Sequence, residues 1–249
     1  MSKIACSLIV EHIQKNDFPV LGLATGSTPE GLYSSLIKEY RHGKVSFRNV
    51  STFNLDEYVG LTKDNANSYQ FYMKEKLFDH IDILSEQGHL PNGISEDLEQ
   101  DCLDYEKLIQ KAGHIDIQVL GLGLNGHIGF NEPGTPFSSR THVVELAEST
   151  RRANARFFSG IEDVPTQAIS MGIATIMESK KILLLASGKE KAEALYLMMN
   201  NEVSEEFPAS ILQLHPDVTI IADRWALSKV LTSYEEDRIG LVIEEQQMK

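Results

Sequence analysis

Apolar residues fall in short unbroken runs along this chain, and most runs lead through a turn into a stretch with helical spacing. Val20–Ala24, Val50–Leu55, Ile115–Leu124, Lys181–Ala186 and Val218–Ala222 read as strands, being short and almost wholly apolar. Pro29–Tyr40 sets Leu32, Leu36, Ile37 and Tyr40 on one helical side. Ser68–His80, Glu96–Lys111, Ala168–Met177 and Glu190–Asn200 read as further helices, and Ile4, Leu8, Ile9 and Ile13 fit another helical face. Strands that are apolar at nearly every position are buried on both faces, and their alternation with helices implies mostly parallel pairing. The pattern predicts an α/β fold: an open, mostly parallel, Rossmann-like sheet with helices on both faces, in a single domain over residues 1–249. One segment breaks the rhythm. Gly134–Asp163 is polar and carries Ser138, Ser139, Arg140, Arg151, Arg152 and Arg156, and its part from about 138 to 163 is expected to form a lid over a site.

Ligands of such sheets bind beyond the carboxyl ends of the strands, near the point where strand order reverses. Three segments that follow predicted strands should meet there. Thr25-Gly26-Ser27-Thr28-Pro29 opens a helix, with Thr28 suited to the cap and Pro29 to the first turn. Free amides at a helix start can bind phosphate, although a capped junction without ligand fits equally well. The segment is neither a P-loop nor a dinucleotide fingerprint. Asp56 and Glu57 lie just past the second strand, where paired acids are often only a solvated turn. The richest segment, Gly121 to Gly134, combines Gly121, Gly123, Gly126 and Gly129 with Asn125, His127 and Glu132. Histidine is the usual acid–base group near neutral pH, and a carboxylate can hold its tautomer and raise its pKa. Ser187-Gly188-Lys189-Glu190-Lys191 is a second candidate anion site, or simply lysines in a solvated first turn.

The balance of charge narrows the partners. A formal net charge of −13 argues against nucleic acid or an anionic membrane, and leaves room for a small anionic ligand in a local positive pocket. The two cysteines, Cys6 and Cys102, make no disulfide framework and read as free, buried thiols of a cytoplasmic protein. The N-terminal apolar run is interrupted by Glu11 and His12, unlike a signal peptide, and no apolar stretch approaches the ~20 residues of a membrane span. Seven histidines besides His127 are scattered without ligand-spaced pairs, so no metal is expected. The acidic tail, Tyr234–Arg238 and Glu244–Lys249, fits either a free end or an interface, which leaves a homo-oligomer open.

Taken together, Leu23–Pro29, Thr52–Leu61, Gly123–Pro133, Ser139–Thr141, Ala153–Phe158 and Leu212–Pro216 resemble the glucosamine-6-phosphate deaminase family, over roughly Val20 to Asp223. The resemblance implies conversion of glucosamine 6-phosphate and water to fructose 6-phosphate and ammonia, without metal or nucleotide cofactor. It implies Asp56 as the base that moves a proton from C2 to C1. It implies His127 as the acid–base that opens the sugar ring, supported by Asn125 and Glu132. It places phosphate on Thr25, Gly26, Ser27, Thr28, Arg156 and Lys191. Two other functions share the scaffold: a 6-phosphogluconolactonase and a non-catalytic sugar-phosphate sensor. The Asp56–Gly60 run favours the deaminase, since an isomerising proton transfer needs that carboxylate. A sensor is usually joined to a DNA-binding domain, for which this chain has no room before Val20 and only about 25 residues after Asp223.

The chain departs from the family in two places. Some members carry Asp where Asn125 stands, and Asn can orient His127 but cannot be an anion or a base. Allosterically activated hexameric members carry cationic residues just after the Ser-Arg-Thr motif, where this chain has His142-Val143-Val144-Glu145. Activation by N-acetylglucosamine 6-phosphate is therefore expected to be weak or absent. Initial rates against substrate should be hyperbolic with or without that ligand; a sigmoidal curve that it makes hyperbolic would overturn this.

Overall fold

A computed structural model describes residues 1–233 of the chain, so the acidic tail lies outside the described residues. Helix α1 spans Ser2–Lys15 and leads into strand β1, Val20–Leu23. Helix α2 (Glu30–Arg41) is followed by β2 (Ser51–Asn54), β3 (Asp56–Tyr58), α3 (Tyr69–Lys76), β4 (Gly88–His89) and α4 (Leu98–Lys111). The second half holds β5 (Ile117–Gly121), β6 (His142–Glu145), α5 (Glu148–Asn154), β7 (Gln167–Ser170), α6 (Ile173–Met177), β8 (Lys181–Ala186), α7 (Ala192–Asn200), β9 (Val218–Ala222) and α8 (Ser228–Ser233).

Six strands form one sheet in the order β4-β2-β1-β5-β8-β9, and every neighbouring pair is parallel. The chain begins at β1, works outward through β2 to β4, then returns to β1's other side for β5, β8 and β9. Strand order therefore reverses between β1 and β5, and the loops that leave their carboxyl ends are Ala24–Pro29 and Leu122–Glu132. Leu21 and Leu23 of β1, Val119 and Leu120 of β5, and Ile182 to Leu185 of β8 are all buried, as predicted for a sheet covered on both faces. Helices α1 and α2 pack on one another with Ala5, Ile9, Leu32 and Leu36 in the core. Both cysteines are buried and free.

A second, three-stranded antiparallel sheet runs β3-β7-β6. It corrects three expectations. Ala168–Met177 is not one helix: Gln167–Ser170 is the central strand of this sheet, and only Ile173–Met177 is helical. A short apolar run does not distinguish strand from helix, and its strand partners come from distant segments. Gly172 makes the break, because a Cβ there would lie 2.2 Å from the carbonyl oxygens of Ser139 and Arg140. The polar segment is also not irregular throughout, since His142–Glu145 forms β6 and Glu148–Asn154 forms α5. Asp56 and Glu57, expected in a turn, lie within β3 and are buried.

Glu106 of α4 ties the two sheets' surroundings together. Its buried carboxylate accepts hydrogen bonds from the Thr141 amide (2.8 Å), the Thr141 hydroxyl (2.6 Å) and the Thr175 hydroxyl (2.6 Å). Arg140 lies 3.7 Å away and forms a two-pronged pair with Glu178. Replacing Glu106 with alanine strands these donors in the interior. Glu106→Ala is expected to destabilise the protein by on the order of 3 kcal/mol, read as a lower Tm in thermal unfolding. Glu106→Gln, which keeps an acceptor, should lose distinctly less.

Candidate active site

Side chains on a strand alternate between faces, and this separates the two acids of β3. Glu57 accepts hydrogen bonds from its neighbour Tyr58 (2.8 Å) and from the Tyr69 and Gln70 amides (3.0 and 2.9 Å). The last two are the first free N–H groups of α3, so Glu57 is a structural anion at a helix start. Burial raises its pKa, and the three N–H donors oppose that rise. Asp56 is equally buried, yet its carboxylate accepts no hydrogen bond among the described residues. Burial, and secondarily the charge of Glu57, push its pKa up to about 8. A carboxyl group that is desolvated, unpartnered and beside a loop has the properties of a general base.

The loop it faces leaves β5. A Cβ on Gly129 would stand 3.7 Å from Asp56 Oδ2, an ordinary contact that places the loop against the carboxylate, and would crowd Ser170 Oγ at 3.1 Å. Gly129 also has a positive φ of 59°. At the other end of the loop, a Cβ on Gly123 would collide with the imidazole of His127, 2.3 Å from Nδ1. The turn is closed by hydrogen bonds from Gly123 N to His127 O (2.9 Å) and from Gly126 N to Gly123 O (3.1 Å).

Within this turn the polar groups form a chain. Asn125 Nδ2 donates to Glu132 Oε2 (2.6 Å), while Asn125 Oδ1 lies 2.7 Å from His127 Nδ1. A carboxylate only accepts, so it turns the amide's NH2 group toward itself and leaves the amide oxygen for the histidine. That oxygen requires a proton on Nδ1 and leaves Nε2 with its lone pair. Glu132 lies 3.8 Å from His127 Nδ1, and its link to the imidazole runs through Asn125. Burial lowers the His127 pKa; Glu132 raises it, as a carboxylate can, and the Lys191 charge lowers it further, so the net shift is downward. Glu132 Oε1 takes a hydrogen bond from the Thr150 hydroxyl of α5, a residue that the sequence did not single out.

The anion-binding candidates divide. In the loop after β1, the carbonyls of Ala24 and Gly26 accept from the Tyr33 and Tyr72 hydroxyls. The N–H groups of Gly26, Ser27 and Thr28 donate to no acceptor among the described residues. Thr28 does not cap α2, which begins at Glu30 with Pro29 in the cap position and no side-chain cap. Thr25 lies beside Tyr69. Ser187 and Gly188 do not form an open anion site, because Asp223 already accepts their hydroxyl (2.6 Å) and amide (2.9 Å) hydrogens. From that segment Lys191 reaches the site, its Nζ donating to Leu122 O at the end of β5 (2.7 Å). Burial lowers its pKa, and nearby Arg156 adds to the effect.

Of the arginines in the polar segment, Arg140 pairs with Glu178, Arg152 with Glu148, and Arg151 donates to the Ile161 and Val164 carbonyls. Arg156 stacks on Phe157 at 4.7 Å and has no carboxylate partner among the described residues. Arg156 and Lys191, two cations held close together, would both be relieved by an anion. His215 instead has a structural place, its Nε2 2.8 Å from Ser179 O. Among the described residues no group of three or more His, Cys, Asp or Glu side chains could hold a metal ion. No helix among them is long and apolar enough to cross a membrane.

Residues 1–221 match the family model described as glucosamine-6-phosphate isomerases/6-phosphogluconolactonase. The chain is 63% identical over 230 residues to a glucosamine-6-phosphate deaminase of Oceanobacillus iheyensis, covering 92% of each. It is 61% identical to that of Shouchella clausii, again over 92% of each. A solved structure of a monomeric glucosamine-6-phosphate deaminase matches with a TM-score of 0.90 at 54% identity, covering 92% of this chain and 95% of that one. A 6-phosphogluconolactonase from Trypanosoma cruzi matches at a TM-score of 0.75, covering 92% of each; at 22% identity this is a likeness of fold.

The raised pKa of Asp56 has a consequence for stability. An unfolded Asp loses its proton near pH ~4, whereas the folded protein holds that proton up to about pH 8. Between these values the native state carries the extra proton, so this group's contribution becomes more unfavourable as pH rises. Asp56→Asn removes the penalty. It should raise Tm, with the gain over wild type larger at pH 8 than at pH 5. Equal shifts at both pH values would show that Asp56 is not desolvated.

Proposed function

The chain belongs to the family of glucosamine-6-phosphate isomerases and 6-phosphogluconolactonases, and we propose that Asp56 and His127 carry out its chemistry. The enzyme is a glucosamine-6-phosphate deaminase, converting glucosamine 6-phosphate and water to fructose 6-phosphate and ammonia. The observation that carries the assignment of roles is the unpartnered, buried Asp56 facing the loop that orients His127.

The substrate's phosphate sits on the free amides of Gly26, Ser27 and Thr28, next to Thr25, and is neutralised by Arg156 and Lys191. That anchorage holds the sugar and fixes the reacting carbons over the two acid–base groups. His127 Nε2 takes the proton from the C1 hydroxyl and returns it to the ring oxygen, which opens the pyranose. The transient imidazolium is balanced by Glu132 through Asn125. The ammonium group at C2 supplies Asp56 with the counter-charge it otherwise lacks, so that its proton is released to solvent as the substrate binds and the carboxylate is formed. Asp56 then removes the C2 proton while the C1 carbonyl oxygen gains the proton that the C2 ammonium group gives up. It delivers the C2 proton to C1, leaving a hydroxymethyl group at C1 and an iminium at C2. Water adds to that carbon and ammonia leaves, giving the 2-ketose.

Lactone hydrolysis on the same scaffold would need a single base for water and would leave Asp56 without a task. The segment from about 138 to 163, which carries Arg156, acts as the lid. Two buried thiols and a strongly acidic chain support a cytoplasmic enzyme whose partner is a small molecule rather than nucleic acid. A homo-oligomer is compatible with a site whose named groups all come from one chain.

Ammonia release from glucosamine 6-phosphate should persist in the presence of a chelator. It should fall about a hundredfold to ten-thousandfold in Asp56→Asn, the usual range for a lost general base. Absence of ammonia from the wild type would sink the deaminase reading. Full activity of Asp56→Asn would sink the role of the carboxylate.

A further inference from the structure

Both oxygens of Glu132 are engaged, one by Asn125 of its own loop and the other by Thr150 of the lid helix α5. Thr150 is buried, and its hydroxyl lies eighteen residues along the chain from the carboxylate it contacts. Without it, Glu132 would be tethered by a single hydrogen bond on a side chain with several free torsions. Asn125 is neutral, so its amide can present either end to His127. The His127 main-chain N–H, 3.3 Å from Asn125 Oδ1, favours one orientation through a long hydrogen bond, and a carboxylate fixed on the other side of the amide makes it firm. A chain with Asp at this position would face no such ambiguity.

We infer that Thr150 is a positioning residue: by fixing Glu132 it fixes the Asn125 amide, and so keeps the His127 proton on Nδ1 and the lone pair on Nε2. The inference rests on the deaminase reading for its effect on rate, but not for its effect on the histidine. The groups that face His127 are Asn125, Glu132 and Lys191. None of these residues is itself substituted when Thr150 is changed; only the way Glu132 and Asn125 are held differs.

The test compares Thr150→Val, which keeps shape and loses the hydroxyl, with Thr150→Ser, which keeps the hydroxyl. Thr150→Ala serves if the valine variant does not fold. The imidazole nitrogen shifts of His127 are read by 15N NMR on the full chain, alongside kcat and KM for glucosamine 6-phosphate. In Thr150→Val the preference for the Nδ1–H tautomer should be lost. Its kcat should fall about tenfold to a hundredfold, the scale of a lost hydrogen bond to a charged group, with KM changed much less. Thr150→Ser should restore both the tautomer and most of kcat. An unchanged tautomer in Thr150→Val overturns the inference, whether or not the rate falls. Failure of the wild type to release ammonia would overturn the deaminase reading instead and leave the tautomer measurement to stand by itself.

Discussion

Asp56 has been taken out of water without being given a donor, and the rest of the site is arranged around that unresolved desolvation. Its neighbour Glu57 is buried to the same degree but is met by three amide hydrogens, two of them from the start of α3. The alternation of a strand assigns the two acids to opposite faces, one satisfied and one without a donor. Such a position is tenable only because β3 is clamped by its pairing with β7, and because the parallel sheet beside it supplies a large apolar core. On the proposed role of Asp56, the stability given up at this carboxyl group would become chemical reactivity once a cationic substrate arrives.

Much of the main sheet could be read from the chain. Five of its six strands announce themselves as apolar runs, and the glycine-rich loop after β5 and the turn after β1 lie where strand order reverses. β4 is only two residues long and gives no such signal. The second sheet was hidden for a related reason: its strands are short, half polar, and paired across distant parts of the chain, so Gln167–Ser170 was absorbed into an apparent helix. Asp56, Asn125, His127 and Glu132 were visible through their company in sequence. Thr150 was not, since a threonine in the first turn of a polar helix looks like any helix starter. That Ser187 and Gly188 are occupied by Asp223 could not be foreseen either, because the carboxylate comes from beyond the next strand.

The segment from about 138 to 163, the proposed lid, touches the site at two points. Arg156 stands near Lys191, where an anion would be held, and Thr150 reaches Glu132 behind the histidine. Both belong to α5 and the single turn that follows it. Aromatic contacts among Tyr58, Tyr69, Phe130 and Phe158 seat this segment against the second sheet, and Asn154 donates to the Tyr58 hydroxyl (3.0 Å). On the proposed roles, binding energy gathered by a phosphate at Arg156 would be delivered within six residues of the contact to Glu132.

Ser170 stands opposite Asp56 in the β3–β7 register, and its hydroxyl accepts the amide hydrogen of Phe130 (3.1 Å), three residues beyond His127. Base and histidine loop thus take their positions from one shared reference point rather than from two independent ones. When such a framework breathes, displacements of the two groups are correlated, and their separation varies less than the place of either. A substrate whose proton must travel between adjacent carbons is sensitive to that difference, and tolerant of common drift.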